Sequence, residues 1–244
     1  MLSMNTFIAE MLGTMTLIVL GNGVVANVLL TKSKGQHGGW VVITAGWAMA
    51  AMSGLFVSYS LGGPGSLNPA RIIAGFFVPK ADYIDGIMAM GGQFVGAFVG
   101  AVLVWLVYLP HWAETRDPDL KLAVFSTGPA ITHPLANLLS EILATFMLIF
   151  VAGAIFSTRI GIGDHPSLGA MAIAGLVWGV GLSLGGPTGY ATNPARDLGP
   201  RIAHFLLPIA GKGPSDWGYS WVPVVGPTVG AVLAMLFRQA VGLY

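Results

Sequence analysis

The sequence predicts an all-α membrane protein in which six transmembrane helices and two short re-entrant helices form an inverted repeat. Three observations lead to this fold class: six long apolar segments, a low charge content, and a pattern that occurs in both halves of the chain. Of 244 residues, 11 are Lys or Arg, 10 are Asp or Glu, and 55% are hydrophobic. Soluble domains usually carry about 25% charged residues, whereas this chain carries 9%, so a soluble fold is excluded.

The composition also excludes several classes of function. The net charge is +1 and no run of basic residues occurs, so nucleic acid is not an expected partner. Cysteine is absent, which excludes disulfides, thiolate nucleophiles and cysteine metal sites. The five histidines are scattered without ligand spacing, so we predict no metal site and no cofactor.

Each predicted span is an apolar segment of about the 20 residues that a transmembrane helix needs. The first has no positively charged leader and no small-residue cleavage site, so we interpret it as a helix that is not cleaved. The six predicted spans are 7–30, 40–61, 86–109, 136–156, 168–184 and 221–241.

Two further apolar segments, 68–78 and 193–207, follow Gly/Pro-rich breaks and are shorter than the spans. At about 1.5 Å per residue, the first of them covers only about half of the bilayer. Each begins with Asn-Pro-Ala, which favours a helix start because Asn is a good N-cap and Pro fits the first helical position. The two tripeptides are Asn68, Pro69, Ala70 and Asn193, Pro194, Ala195.

The two halves of the chain share a pattern that indicates a duplication. Segment 7–21 aligns with 138–152 and places Glu10 opposite Glu141. Each half holds three spans, and three is odd, so the second half enters the membrane from the opposite side. We therefore predict one domain, 1–244, in which inverted repeats of about 1–109 and 135–244 are joined by a loop, 110–134.

The re-entrant segments are expected to line a cavity. Irregular backbone at membrane depth needs hydrogen-bond partners that lipid cannot supply, whereas protein or a water-filled cavity can. The starts of the two short helices should therefore meet near the middle of the bilayer, each with a partial positive charge of about half a unit.

These residues and motifs resemble the major intrinsic protein family and, within it, the glycerol facilitators or aquaglyceroporins. The likeness covers the six spans, the repeated glutamate helix, both Asn-Pro-Ala boxes and the stretch GPTGYATNPARDLGP at 186–200. Asp197, directly after the second box and its arginine, is similar to the glycerol branch of the family. The resemblance implies an aquaporin-like fold, a homotetramer with one pore per subunit, a multi-pass location in the cell membrane, and no enzymatic activity.

The resemblance also implies a selectivity filter. Its expected members are Trp47, Gly181, Tyr190 and Arg196, and a strict residue count would put Ala48 in the place of Trp47. Gly181 stands where water-only channels have a histidine, and its small size is expected to leave room for a carbon chain. The aromatic pair can face the carbon side of a polyol while the guanidinium donates hydrogen bonds to its hydroxyls.

The predicted function is a passive transmembrane channel for glycerol and other small neutral solutes, with water, and urea is a further candidate solute. Asn68 and Asn193 would donate side-chain N–H groups to the passing oxygen. A fixed cation in a narrow pore, together with two helix N-termini, excludes protons and metal ions.

The sequence leaves three alternative functions open. Arg71 stands where the family usually has an apolar residue, and Ser66 where it usually has histidine. Arg71 either caps nearby carbonyls or places a second cation in the opposite vestibule, which would favour a channel for lactic acid or another small monocarboxylic acid. Glu10 and Glu141 either accept hydrogen bonds from the re-entrant loops, which we favour, or relay protons in a coupled carrier.

The third alternative is a membrane hydrolase that uses Asp197 with His204. No serine or threonine lies in a recognisable nucleophile pattern, which argues against this reading. Two packing features are also predicted. Glycines at 92, 96 and 100 and at 226 and 230 favour close helix contacts, and the aromatic residues Trp112, Trp217, Tyr219 and Trp221 are interpreted as anchors at the membrane interface.

Overall fold

The computed structural model describes residues 2–79, 81–162 and 165–243, and within them it is helical with no strand. Six long helices and four short ones follow one another along the chain. Their bounds are α1 Leu2–Leu29, α2 Gly39–Ser60, α3 Pro69–Gly75, α4 Tyr83–Val107, α5 Leu109–Glu114, α6 Pro118–Phe125, α7 Pro134–Ile155, α8 Pro166–Leu184, α9 Pro194–Leu206 and α10 Val222–Ala240.

Six of these helices, α1, α2, α4, α7, α8 and α10, are long and apolar enough to cross a membrane. Each falls on one of the six predicted spans, so the predicted all-α architecture with six spans is confirmed. Helices α7 and α8 begin slightly before the predicted apolar runs, at Pro134 and Pro166. Proline fits there because the first helical residue needs no N–H donor.

The two short helices α3 and α9 begin at the predicted Asn-Pro-Ala boxes. The side chain of Asn68 accepts a hydrogen bond from the Ala70 N–H at 2.9 Å, and that of Asn193 accepts one from the Ala195 N–H at 3.0 Å. Each asparagine is thus an N-cap that satisfies a free backbone donor of its helix. Helix α3 ends at Gly75, a little before the predicted end at 78.

The connector 110–134, predicted as a loop, contains most of α5 and all of α6. Tertiary burial explains the difference, because Trp112 and Phe125 are buried and their ring centroids lie 5.5 Å apart. The interpretation of Trp112 and Tyr219 as interfacial anchors is therefore wrong, since both side chains are buried. Trp217 and Trp221 are exposed, as an anchor requires.

The long helices pack closely at glycines, as predicted. A Cβ added at Gly100 would lie 2.8 Å from the Met15 carbonyl oxygen of α1, and one added at Gly226 would lie 2.6 Å from the Cβ of Glu141. These contacts join α1 to α4 and α7 to α10. Helix α3 packs on α10 and α9 on α4, so each short helix is held by the last long helix of the other half.

Candidate functional site

A cavity of about 180 Å³ runs between the long helices and past the starts of α3 and α9. Trp47, Tyr190 and Arg196 line it, as do Asn68 and Asn193. Arg71, Arg238 and Ser66 line it too, and they also line a second cavity of about 310 Å³ that none of the filter residues touches. The predicted filter residues and the pair of arginines Arg71 and Arg238 therefore lie toward different ends of the first cavity.

The two helix starts meet in the wall of this cavity. Asn68 Nδ2 donates to the Thr192 carbonyl at 2.8 Å, and Asn193 Nδ2 donates to the Leu67 carbonyl at 2.6 Å. One amide hydrogen of each asparagine joins the two halves in this way. The other hydrogen has no acceptor among the described residues, so it is available to a solute in the cavity.

The residue before each asparagine has a left-handed backbone, with φ of 51° at Leu67 and 48° at Thr192. This conformation costs a residue other than glycine roughly 1–2 kcal/mol, and neither position is a glycine. This backbone conformation points the carbonyl of each residue toward the asparagine of the other half. It is maintained because the backbone N–H groups of the same two residues are hydrogen-bonded to buried carboxylates.

Those carboxylates belong to Glu10 and Glu141, which are fully buried. Glu10 accepts hydrogen bonds from the Ser66 and Leu67 N–H groups at 3.0 and 2.7 Å, and also from side chains of α2 and α4. Glu141 accepts from the Ala191 and Thr192 N–H groups, both at 2.9 Å. Neither glutamate lines the cavity, so the geometry favours support of the loops over proton relay.

At the filter end, the guanidinium of Arg196 lies over the ring of Trp47, with its Cζ 4.3 Å from the ring centroid. Both side chains are mostly buried and both line the cavity. The guanidinium donates no hydrogen bond to another described residue, so its donors are available to a solute. Ala48 is fully buried and does not line the cavity, which places Trp47 in the wall.

Gly181 differs from the expectation drawn from the family pattern, because it does not line the cavity. A Cβ there would lie 2.8 Å from Cζ and 2.9 Å from the hydroxyl of Tyr190. The space left by the missing side chain is thus taken by the tyrosine ring, which lines the cavity. Trp40, which the sequence did not single out, donates to the Gly181 carbonyl at 3.0 Å and packs edge-on against Tyr190 at 5.8 Å.

At the other end, Arg71 caps a carbonyl, as one interpretation of its position in the sequence predicted. Its Nη1 donates to the Gly65 carbonyl at 2.9 Å, and its exposed side chain also lines both cavities. Arg238, in the last turn of α10, lies at the same cavities. A cation near a helix end is common, so the sequence carried no signal that would have found this residue.

Asp197 and His204 do not form a hydrolytic pair. The Asp197 carboxylate accepts from the Thr127 N–H at 2.7 Å and forms an ion pair with Arg201 Nε at 2.8 Å. His204 Nδ1 contacts the Ser215 hydroxyl at 2.8 Å. All these groups are buried and none lines either cavity. Asp197 therefore joins α9 to the connector 110–134, and His204 joins α9 to the loop that follows it.

The comparisons with known proteins agree with this geometry. The family model described as "Major intrinsic protein" matches residues 1–238. A probable glycerol uptake facilitator protein of Thermotoga maritima is 51% identical over 94% of this chain and 96% of its own length. A glycerol uptake facilitator protein of Streptococcus pneumoniae is 49% identical over 96% of this chain and 97% of its own.

Among solved structures, the X-ray structure of the aquaglyceroporin from Plasmodium falciparum matches with a TM-score of 0.87 and 29% identity, covering 98% of this chain and 96% of that one. The predicted aquaporin-like fold is therefore confirmed. A family match over almost the whole chain, together with the paired helix starts around a cavity, leads to one conclusion: the chain belongs to the major intrinsic protein family, as a multi-pass membrane channel and not an enzyme.

Proposed function

We propose that this protein is a passive channel for glycerol and other small neutral solutes, with water. The observation that carries the proposal is the filter end of the cavity, where the unpaired donors of Arg196 lie beside the aromatic rings of Trp47 and Tyr190. A polyol has one face of carbons and one of hydroxyls, and this wall offers a partner to each. The relatives are glycerol uptake facilitators by name, which supports the same solute class.

Passage is explained by contacts that are few and weak. The hydroxyls of a solute lose water at the narrow filter and accept hydrogen bonds there from Arg196. Further along, they meet the free amide hydrogens of Asn68 and Asn193. Because no site offers more than a few donors, a solute is stabilised enough to enter and not held tightly, which conduction requires.

Cations are excluded by the charge of the wall. Arg196 is a permanent cation, and the starts of α3 and α9 each contribute a partial positive charge where they meet. A proton or metal ion in the cavity would face these charges without a compensating acidic side chain, because Glu10 and Glu141 point into the loops. We therefore expect no ionic current with solute flux.

We further infer that 1–244 is one domain whose two halves, about 1–109 and 135–244, are related as inverted repeats. The support is the matching set of contacts around Glu10 and Glu141, each of which binds the loop that precedes its own Asn-Pro-Ala box. A homotetramer with one pore per subunit is also proposed, from membership of the family. Native mass spectrometry of the detergent-solubilised protein tests the tetramer, and a spectrum with only monomers would contradict it.

The function is tested by stopped-flow light scattering of proteoliposomes challenged with glycerol, urea, sorbitol, and lactic acid at low and neutral pH. We expect fast re-swelling with glycerol and little with sorbitol, which has the same chemistry but a longer chain. Uptake of lactic acid confined to low pH would add a neutral monocarboxylic acid to the solutes. Accumulation of any solute against its gradient would instead indicate a carrier.

A matched pair of variants ties the flux to the cavity. Ala152 lines the cavity from α7, so Ala152→Trp should block it. Ala113 is exposed on α5 and lines neither cavity, so Ala113→Trp should leave the glycerol flux unchanged. Equal glycerol flux in both variants would show that solute crosses the protein by another route.

A further inference from the structure

The end of the cavity opposite the filter carries two guanidinium groups that the family filter does not include. Arg71 follows the first Asn-Pro-Ala box, and Arg238 lies in the last turn of α10. Both line the main cavity and the adjoining one. A solute that passes along the main cavity therefore meets Arg196 at one end and this pair at the other.

The guanidinium donors of Arg238 have no acceptor in the part of the chain that the structure describes. Its Nε is buried without a hydrogen-bond partner, and none of its guanidinium nitrogens bonds or ion-pairs with another described residue. The Nε is closed off by the protein itself, so the two Nη groups of Arg238, which have no acceptor among the described residues, are the donors that a ligand can meet. Arg71 donates one hydrogen bond to the Gly65 carbonyl, and its other guanidinium N–H groups have no acceptor among the described residues.

The position of Arg238 is set by the absence of a side chain at Gly153. A Cβ on Gly153 would overlap Nε and Cζ of Arg238, so the guanidinium lies directly on the backbone of α7. Gly153 itself lines the main cavity. This packing prevents the arginine from turning freely toward bulk water and keeps its donors at the mouth of the cavity.

Two acidic side chains share the adjoining cavity and limit the charge of any ligand. Asp82 and Asp85 line it from the start of α4. The Asp82 carboxylate caps α4 by accepting from the Asp85 N–H at 3.0 Å, and neither aspartate forms an ion pair with an arginine among the described residues. The formal charges of the two arginines and the two aspartates cancel, so a ligand is held by the guanidinium donors and not by net charge, and the carboxylates repel a doubly charged anion more than a singly charged one.

We propose that Arg71 and Arg238 form a binding site for a small singly charged carboxylate at the mouth of the channel opposite Arg196. The carboxylate has two oxygens that match the paired donors of a guanidinium, and the Ser66 hydroxyl lies at the same place to offer a further donor. A bound carboxylate occupies the route of the neutral solute. The site therefore makes glycerol flux sensitive to such anions.

Lactate at pH 7.5, where it is almost entirely ionised, is a suitable probe. It is placed on both sides of proteoliposomes, and glycerol flux is compared with that in sodium chloride of the same ionic strength. We expect lactate to slow the flux with half-inhibition on the order of 1–10 mM, the range of a weak site. Chloride should slow it far less because a single atom cannot bridge paired donors.

Variants assign the effect to the two arginines, with each flux normalised to that of the same variant without lactate. Arg71→Val and Arg238→Met should each weaken inhibition by about tenfold or more, the usual consequence of losing a hydrogen bond to a charged group. Gly153→Ala keeps both charges but displaces Arg238, so it should weaken inhibition as well. Arg159→Met is the matched control, since Arg159 is exposed beyond the end of α7 and lines neither cavity.

Line broadening of ¹³C-lactate by the purified protein measures binding without any flux, so failure of this site and failure of glycerol conduction give different results. Broadening that disappears in Arg238→Met and persists in Arg159→Met supports the site. Equal broadening in wild type and Arg238→Met overturns it, as does an absence of broadening in wild type. An inhibition lost equally in Arg159→Met would show a general surface-charge effect and would also overturn it.

Discussion

Replacing Glu141 with glutamine tests whether the buried glutamates support the re-entrant loops or carry protons. The carboxylate accepts from the Thr188 hydroxyl at 2.6 Å and from the Ala191 N–H at 2.9 Å through one oxygen, and from the Thr192 N–H at 2.9 Å through the other. A glutamine amide keeps one oxygen and puts an NH₂ group in the place of the other. In either orientation, at least one buried backbone N–H then faces a donor.

An unsatisfied buried donor costs about 1–3 kcal/mol, so we expect Glu141→Gln to destabilise the protein by that amount. For chains of this length, about 1 kcal/mol corresponds to a melting temperature lower by roughly 2–4 °C. Glycerol flux should fall with it, because Thr192 positions the carbonyl that holds Asn68. Thermal unfolding in detergent, followed by size-exclusion fluorescence, gives the stability, and stopped-flow gives the flux.

Glu114→Gln is the matched control, since it makes the same chemical change at an exposed residue that pairs with Lys32 at 2.7 Å. The Lys32 ammonium holds the pKa of the Glu114 carboxyl below its usual value, but exposed pairs contribute little stability, so melting and flux should not change measurably. The reasoning would be refuted if Glu141→Gln melted like the wild type while losing solute flux or its pH dependence. That result would favour proton relay.

Three other substitutions have defined outcomes. Gly181→His should push the ring of Tyr190 into the cavity and lower glycerol flux roughly tenfold, the effect of about 1.4 kcal/mol of overlap. The loss of water flux should be smaller. Stopped-flow measurements of both fluxes check this, and equal losses would contradict it. Gly96→Ala should destabilise the protein by about 1–3 kcal/mol, because the new Cβ overlaps a backbone carbonyl of α1. Gly23→Ala is the control, since its Cβ meets no atom within 4 Å. Similar melting temperatures of the two variants would contradict the packing argument. Asp197→Asn should destabilise by about 3 kcal/mol, since it breaks a fully buried ion pair, and a variant of wild-type stability would show that the pair is not needed for folding.

Patterns local in the chain were enough to predict much of the molecule. Apolar runs of bilayer length located the six spans, because lipid imposes a length and a composition on any helix that crosses it. The Asn-Pro pairs located the starts of α3 and α9 through the N-cap and first-position rules, which involve only neighbouring residues. Glycines at one-turn spacing indicated the faces where α4 and α10 meet their partners.

What depended on contacts between distant segments was decided only by the tertiary structure. Helices α5 and α6 are too short to be stable by themselves and depend on the burial of Trp112 and Phe125. The left-handed residues Leu67 and Thr192 carry no glycine signal, and their conformation is kept by carboxylates from distant helices. Arg238 reaches the cavity because α7 has no side chain at one position. The sequence itself specifies periodicity and helix ends, since these depend on near neighbours, whereas the shape and charge of a cavity depend on which remote surfaces fold against each other.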